Sequence, residues 1–452
     1  MKEITASTYE HLLQNVDNPN LYKDLFPYSQ MPKTTFNGIQ LPMDVPDKIW
    51  ITDTTFRDGQ QSMPPFSAEQ IVKLFDLLNK LDNGSGVIRQ TEFFLYSEKD
   101  RHAAQVCMER GYKFPEVTSW IRANKEDFKL VKEMGIKETG MLMSCSDYHI
   151  FKKLNKSRQE AMDLYISIVE EALAHGIIPR CHLEDITRAD FFGFVVPLVN
   201  KLMELSKESG VAIKIRACDT LGVGLPYSEV SLPRSVQGIL HGLRYNCNVP
   251  SEQIEWHGHN DFNSVVTNST TAWLYGASAV NGTLLGIGER TGNCPVESMI
   301  MEYAQLKGTT ENMKLSVIGE IADYFENNMK YDVPPRTPFV GSQFNETRAG
   351  IHADGMLKDE EIYNAFDTEK LLGKPIVVAI NQYSGLAGIA VWINRYFRLK
   401  EEQRIDKKDE RIHAIKNWVD EQYENGRTTI IRNNELELLV RKHIPEIIQK
   451  VS

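Results

Sequence analysis

Residues 254–261 read Ile-Glu-Trp-His-Gly-His-Asn-Asp, a short apolar run that ends in polar side chains. Seven similar runs occupy residues 49–56, 87–94, 115–120, 138–146, 177–185, 211–220 and 279–288. Strand then helix, eight times over about 255 residues, predicts an α/β fold, the (β/α)₈ or TIM barrel. A doubly wound open sheet is the alternative, since periodicity alone does not exclude it. No G-x-G-x-x-G or Walker A motif follows the first run, which disfavours its nucleotide-binding form.

The intervals between these runs show helical periodicity. In residues 67–81, apolar side chains recur at helical spacing behind Ser67 and Gln70, which form a predicted capping box. Ser157 and Glu160 form a second predicted box before the apolar positions of residues 161–175. Both segments therefore predict helices that pack one face on the barrel.

Composition indicates a soluble globular protein. The 452 residues are 42% apolar and 25% charged, and 51 basic against 61 acidic side chains give a net charge of −10. This charge argues against a general binder of nucleic acid or of anionic membranes. Six scattered cysteines indicate reduced thiols, and the polar N-terminus does not resemble a signal peptide. We therefore expect a cytoplasmic protein without a membrane segment.

Changes in composition and periodicity along the sequence predict four regions. Residues 1–45 are polar and contain several prolines, which indicates an N-terminal extension. The catalytic barrel is predicted over 46–305, where the alternation stops. A linker with a first C-terminal subdomain is predicted over 306–395, and a helical second subdomain over 396–452.

The strongest chemical signal is the pair His257 and His259. Residues i and i+2 of a strand point to the same face, so both imidazoles can face the barrel mouth. Active sites of such barrels lie where the strands end. Two imidazoles and one carboxylate leave coordination positions open for substrate on a divalent metal. Asp58, at the end of the first run, is the predicted third ligand, although an Arg-Asp pair such as Arg57-Asp58 also occurs as a structural salt bridge.

Six ordered motifs carry a resemblance to a known family. They are FRDGQQ (56–61), LEDITR (183–188), DTLG (219–222), HGHND (257–261), GERTGN (288–293) and GIHADG (350–355). Together they resemble the metal-dependent Claisen-condensing branch of the DRE-TIM metallolyase superfamily, over roughly residues 48–390. This resemblance implies an acyltransferase that condenses acetyl-CoA with a 2-oxo acid and converts the acyl group into an alkyl group on transfer.

The resemblance also implies roles for particular residues. The metal ligands would be Asp58, His257 and His259, with Asn293 nearby. The implied substrate-binding and catalytic residues are Arg57, which stabilises the developing oxyanion, Gln61 beside the metal, and Arg180 and Thr220, which bind carboxylates. Glu184 and His352 are the implied proton-abstracting unit, and Tyr383 is a weaker candidate for ordering the hydrolytic water.

The 2-oxo acid is predicted from a departure from the family pattern. Homocitrate synthases usually have serine where this chain has His182, and glutamate where it has Asp58. A bulky donor at His182, with His149 after the fourth run, suits the shorter oxaloacetate, whose condensation gives citrate. The alternatives are homocitrate formation from 2-oxoglutarate and the isopropylmalate or citramalate reactions.

The implied cofactor is a divalent metal, with Mn²⁺ as first choice and Co²⁺, Mg²⁺ or Zn²⁺ as alternatives; acetyl-CoA is the co-substrate. The expected partners are small molecules and a second copy of the chain, in a homodimer whose C-terminal region contacts the partner barrel. Other interpretations are a retro-aldol lyase, a biotin-dependent carboxyltransferase and a barrel without activity. The lyase and the carboxyltransferase are disfavoured because they give no reason for the GIHADG (350–355) and NQYSG (381–385) motifs, and Arg180-Cys181-His182 lacks the modifiable lysine of a carboxyltransferase. The barrel without activity is disfavoured because each catalytic role has a matching residue.

Overall fold

The computed structural model describes residues 11–447, and eight of its strands close into a barrel. They are β1 (Trp50–Asp53), β2 (Ile88–Phe94), β3 (Glu116–Ile121), β4 (Glu138–Ser144), β5 (Ile178–Glu184), β6 (Lys214–Asp219), β7 (Ile254–Gly258) and β8 (Ala279–Gly282). Neighbours in chain order pair in parallel, and β8 pairs with β1. The predicted (β/α)₈ barrel is therefore confirmed.

Helices follow the strands along the chain. They are α1 (Ala68–Asp82), α2 (Glu98–Glu109), α3 (Phe128–Glu133), α4 (Asp147–Lys152), α5 (Arg158–Ala174), α6 (Val196–Ser209), α7 (Val236–Tyr245), α8 (Val265–Leu274) and α9 (Val296–Lys307). Both predicted capping boxes are confirmed, at the first turns of α1 and α5. Among residues 11–447, no helix combines the length and the apolar character needed to cross a membrane.

The barrel interior contains charged side chains in addition to apolar ones. Glu92, Arg180, Arg216 and Glu255 are all buried on the strands. Strand register places His182 beside Arg216, and Arg216 beside Glu255. Because side chains two residues apart share a face, these residues lie one layer deeper than the residues at the strand ends. The strand ends therefore rest on a buried polar layer.

The N-terminal extension is anchored to the barrel by hydrogen bonds. Its described part, residues 11–45, contains no helix and no named strand. Asp147 accepts a hydrogen bond from the backbone N–H of Asn20 at 2.6 Å and forms an ion pair with buried Arg158 at 2.8 Å. Arg234 donates to the carbonyl oxygen of Lys33 at 2.6 Å. Residues 1–10 of the predicted extension lie outside the described residues.

The chain divides into two units, Met1–Lys314 and Leu315–Ser452. The second contains α10 (Val317–Met329), α11 (Gly350–Lys358), α12 (Thr368–Leu372), α13 (Gly385–Tyr396), α14 (Glu410–Glu424) and α15 (Asn433–His443), with the short strands β9 (Glu346–Thr347) and β10 (Val377–Val378). One apolar cluster includes buried residues from 353 to 447. The subdivision near residue 395 stays a prediction, and residues 448–452 lie outside the described chain.

Glu297 on α9 is a buried carboxyl group whose ionisation opposes folding. Burial raises its pKa to about 7, and it accepts a hydrogen bond from the backbone N–H of Leu285 at 3.1 Å. Because the folded-state pKa lies above the ordinary 4.5, the folded protein holds the proton more tightly than the unfolded chain does. The stabilisation is full below about pH 4.5 and is lost as the pH rises through about 7.

We therefore expect Glu297→Gln to flatten the fall in melting temperature between about pH 4.5 and pH 7. The neutral amide keeps the size of the side chain but cannot ionise. Thermal unfolding by circular dichroism measures this, with Glu302→Gln on the same helix as the control. Equal pH dependence in wild type and Glu297→Gln would contradict the assignment.

Candidate active site

Three potential metal ligands meet at the carboxyl ends of β1 and β7. Asp58 lies on a helical turn, Thr55–Gly59, that follows β1 after one residue. His257 is the penultimate residue of β7, and His259 directly follows the strand. Their ligand atoms lie within 4.8 Å of one another, and all three residues are buried. The Asp58 Oδ2 is 3.4 Å from His257 Nε2 and 3.8 Å from His259 Nε2. We call Asp58, His257 and His259 the triad.

Asn293 adds a fourth polar group. Its Nδ2 donates to Asp58 Oδ2 at 2.7 Å, while its buried Oδ1 has no hydrogen-bond partner among residues 11–447. A Cβ on Gly288 would lie 2.5 Å from that oxygen, so glycine keeps this space open. An unpaired amide oxygen beside a carboxylate and two imidazoles is a donor set that fits a divalent cation.

The protonation states of the triad also suit metal binding. Burial alone would raise the pKa of Asp58, but Arg57 and the two histidines hold it well below its usual range. Burial lowers the pKa of His257 to about 3, against the opposing effect of Asp58. At neutral pH the carboxylate is therefore ionised and this imidazole is neutral, and these are the forms that bind a metal.

Arg57 stands beside the triad and is oriented by a buried carboxylate. Its Nε donates to Glu92 Oε2 at 2.8 Å, and its Nη1 lies 3.3 Å from Asp58 Oδ1. The guanidinium carbon lies 5.4 Å from the centre of the Trp120 ring. Arg57 is thus a fixed cation next to the place where a metal-bound substrate would lie.

Arg180 and His182 lie inside the barrel. Arg180 forms ion pairs with Glu92 at 2.6 Å and with Glu138 at 2.9 Å. The His182 Nε2 is 3.5 Å from Glu92 Oε1, and burial together with Arg216 lowers its pKa well below the ordinary value. Arg180 is thus paired with protein carboxylates, and its predicted role in carboxylate binding stays a prediction.

Glu184 ends β5 in a cluster of donors. It accepts hydrogen bonds from Ser144 and from Lys153 (3.0 Å), and the His149 Nδ1 is 2.9 Å from its Oε2. Burial opposes ionisation, but the neighbouring His149, Ser144 and Lys153 lower the pKa of Glu184 to about 2. Thr220 lies near Glu184, because its Oγ1 accepts a hydrogen bond from the backbone N–H of the next residue, Asp185, at 2.8 Å.

The remaining predicted residues have less protein contact. Gln61 is exposed at the turn after Asp58, whereas its neighbour Gln60 is buried. His352 and Tyr383 belong to the second unit. His352 is exposed on α11, with its Nδ1 3.3 Å from Thr347 Oγ1, and the side chain of Tyr383 is 70% exposed. Their catalytic roles stay predictions.

Several site residues were not singled out from the sequence. Arg216, Glu255, Asn281 and Lys153 all contact the groups described above. For two of them, the alternation of side chains along a strand could have indicated a place in the barrel interior. Arg216 and Glu255 lie two positions before Cys218 and His257, and therefore on the same inward face of β6 and β7. Charged residues at inward positions of apolar runs mark a polar barrel interior.

The closed barrel and the triad at its mouth are typical of metal-dependent (β/α)₈-barrel enzymes. Residues 48–324 match the HMGL-like family model. The chain is 70% identical over 443 residues to a citrate (Re)-synthase of Clostridium kluyveri, covering 98% of both chains. It is 52% identical over 435 residues to one of Syntrophus aciditrophicus, covering 96% of this chain and 69% of the relative.

Two further comparisons give the range of the similarity. A 2-phosphinomethylmalate synthase of Streptomyces hygroscopicus is 36% identical over 95% of this chain and 98% of its own. The HMG-CoA lyase structure of Bacillus subtilis matches 66% of this chain and 98% of its own, with a TM-score of 0.50 and 22% identity, which shows a shared fold. The chain belongs to the HMGL-like family and, within it, to the group of citrate (Re)-synthases.

We expect His257→Ala and His259→Ala to lose divalent-metal binding while the barrel stays folded. Each substitution removes one ligand of the triad but leaves the backbone hydrogen bonds of β7 unchanged. Metal content after equilibration with Mn²⁺ and dialysis, measured by mass spectrometry, checks this. His102→Ala, on the exposed face of α2, is the control. Full metal content in either triad variant would refute the site.

Proposed function

We propose that this chain catalyses the condensation of acetyl-CoA with oxaloacetate and water, giving citrate and CoA. The observation that carries the proposal is 70% identity to a citrate (Re)-synthase along 98% of the chain. The family is dependent on a divalent metal and uses acetyl-CoA. Mn²⁺ is our first choice of metal, because the carboxylate of Asp58 and the amide oxygen of Asn293 are oxygen ligands of the kind that Mn²⁺ binds, and Co²⁺, Mg²⁺ and Zn²⁺ are the alternatives.

Asp58, His257 and His259, with Asn293 beside them, would hold a divalent ion, and that ion would act as a Lewis acid toward the oxo acid. Arg57 is placed to stabilise negative charge on the ketone oxygen, because Glu92 fixes its guanidinium next to Asp58. We assign Gln61 and Thr220 to the polar lining that contacts the substrate.

Glu184 has the properties of a carboxylate that remains ionised during catalysis. A pKa of about 2 makes it a weak base toward an acetyl methyl group. An ionised carboxylate can assist a separate base in the same chemical step. We assign the base to His352 and the ordering of the hydrolytic water to Tyr383, so that Glu184 and His352 act in one chemical step.

The position of His182 supports oxaloacetate as the substrate. His182 lies two residues before Glu184 on the inward face of β5, one layer deeper in the barrel. A Cβ on Gly140 would lie 2.5 Å from its Nε2, so the imidazole fills the space that this glycine leaves. We infer that a ring at this depth, instead of a serine, limits how far a substrate can reach into the barrel, which favours the oxo acid with one methylene fewer. His149 adds a second donor near Glu184.

We also propose that the chain acts in the cytoplasm as a homodimer, with the C-terminal region of one subunit contacting the partner barrel. All six cysteines are free and buried, as in proteins of reducing compartments. Light scattering on the purified chain tests the dimer.

If Glu184 and His352 act in one step, then Glu184→Gln, His352→Ala and the double variant should lose similar activity. We expect a fall of about 10²–10⁴ in kcat, the usual scale for general base catalysis. Thiol release from acetyl-CoA measures the rate, and Glu171→Gln on α5 is the control. Additive losses in the double variant would show that the two residues act in separate steps.

We expect the wild-type enzyme to use oxaloacetate faster than 2-oxoglutarate, and His182→Ser to narrow this preference by opening the cavity. The ratio of kcat/KM for the two acids, with Mn²⁺ added, is the measurement. Cys181→Ser, whose side chain lies on the opposite face of β5, is the control. Faster turnover of 2-oxoglutarate by the wild type would instead favour homocitrate synthase.

A further inference from the structure

A chain of hydrogen bonds connects a buried ion pair to the imidazole of His257. The His257 Nδ1 lies 2.8 Å from Asn281 Oδ1. Asn281 Nδ2 donates to Thr52 Oγ1 at 2.9 Å and to the Thr52 carbonyl oxygen at 3.3 Å. Thr52 Oγ1 in turn donates to Glu255, which accepts from the Nε of Arg216. All five residues are buried.

The donor and the acceptor of each hydrogen bond in this series follow from the Glu255–Arg216 pair at one end. Glu255, paired with a guanidinium, acts as an acceptor, so the Thr52 hydroxyl must donate to it. The Thr52 Oγ1 lone pair and the Thr52 carbonyl then both accept, and the amide NH₂ of Asn281 must face them. The Oδ1 of Asn281 consequently faces His257 and accepts from its Nδ1–H.

We propose that Asn281 is a positioning residue that holds His257 in the Nδ1–H tautomer, with its own orientation fixed by Thr52 and the Glu255–Arg216 pair. This tautomer leaves the Nε2 lone pair free, and Nε2 is the atom that faces Asp58 at 3.4 Å. The inference rests on the proposed metal site and names the residues that prepare one of its ligands. Partners of this kind orient metal-binding histidines and keep the ligating nitrogen unprotonated.

The same ion pair also reaches the other side of the triad. Arg216 Nη1 lies 3.2 Å from Glu92, which holds Arg57, and Arg57 contacts Asp58. The contacts therefore form a closed circuit that starts and ends at the triad. The buried Arg216–Glu255 pair is thus connected to two of the three triad residues, to His257 through Asn281 and to Asp58 through Arg57. This connection gives the charged residues at this depth of the barrel a role.

The decisive comparison is Asn281→Leu against Asn281→Asp. Leucine is similar in size but cannot accept a hydrogen bond, whereas aspartate accepts as the native Oδ1 does. We expect Asn281→Leu to bind Mn²⁺ about 10- to 100-fold more weakly than wild type, as is usual when a partner of a ligating histidine is removed. We expect Asn281→Asp to bind Mn²⁺ more tightly than Asn281→Leu does, because the acceptor for the Nδ1–H is retained although both donations to Thr52 are lost. Calorimetric titration without substrates measures these affinities.

The tautomer is read directly from ring ¹⁵N shifts of the metal-free protein labelled at histidine. The signals of His257 are identified by their loss in His257→Gln. We expect the Nδ1–H form in wild type and in Asn281→Asp, and a mixture with the Nε2–H form in Asn281→Leu. Asn268→Leu, which removes a different buried asparagine that bonds to Gly224, is the control and should change neither measurement.

Three results would overturn the proposal: the Nε2–H form in wild type, wild-type affinity in Asn281→Leu, or an equal loss in Asn268→Leu. If Asn281→Leu does not fold, Thr52→Val decides, because it removes one of the two acceptors that orient the amide. A loss of about threefold or more in Mn²⁺ affinity with a mixed tautomer supports the role, and wild-type behaviour rejects it. Since no substrate is present, failure of citrate formation is a separate result.

Discussion

The ionised side chain of Glu92 inside the barrel is the constraint on which the site depends. It contacts the guanidinium groups of Arg57, Arg180 and Arg216. Burial favours the neutral acid, but these cations hold the pKa of Glu92 well below its usual range. Removing one partner of a buried ion pair is strongly destabilising, because the remaining charge is left uncompensated. The strands around Glu92 must therefore keep their complementary charges at fixed positions.

This network links the depth of the barrel to the chemistry at its mouth. Through Arg57, Glu92 directs a cation at the triad, and through Arg216 and Glu255 it connects to the opposite side of His257. An apolar barrel core would pack the strands equally well but would leave the arginine unsupported. We conclude that the polar interior orients Arg57 and His257, while the apolar contacts between helices and strands supply most of the stability.

Glycines complete the site by leaving space at two positions. At Gly140 any side chain would collide with His182 and Glu92, and at Gly288 it would collide with Asn293. Both positions have ordinary backbone angles, so the requirement for glycine there arises from close approach rather than from conformation. The HMG-CoA lyase structure shares the fold over 66% of this chain at 22% identity, so within that shared part the chain is distinguished by its side chains.

The sequence alone was enough to predict the strands, the helices and the pair His257 and His259 as candidate metal ligands, because these features follow from local spacing. Alternating strands and amphipathic helices follow from periodicity, and two histidines two residues apart on a strand share a face. Tertiary structure decided what depends on distant contacts. Asn281 meets His257 across neighbouring strands, Glu92 meets Arg216 from strands far apart in sequence, and the unpaired Oδ1 of Asn293 is visible only once the chain is folded. Pattern reasoning cannot assign such contacts, because strand register and burial set which charges meet and which remain available to a ligand.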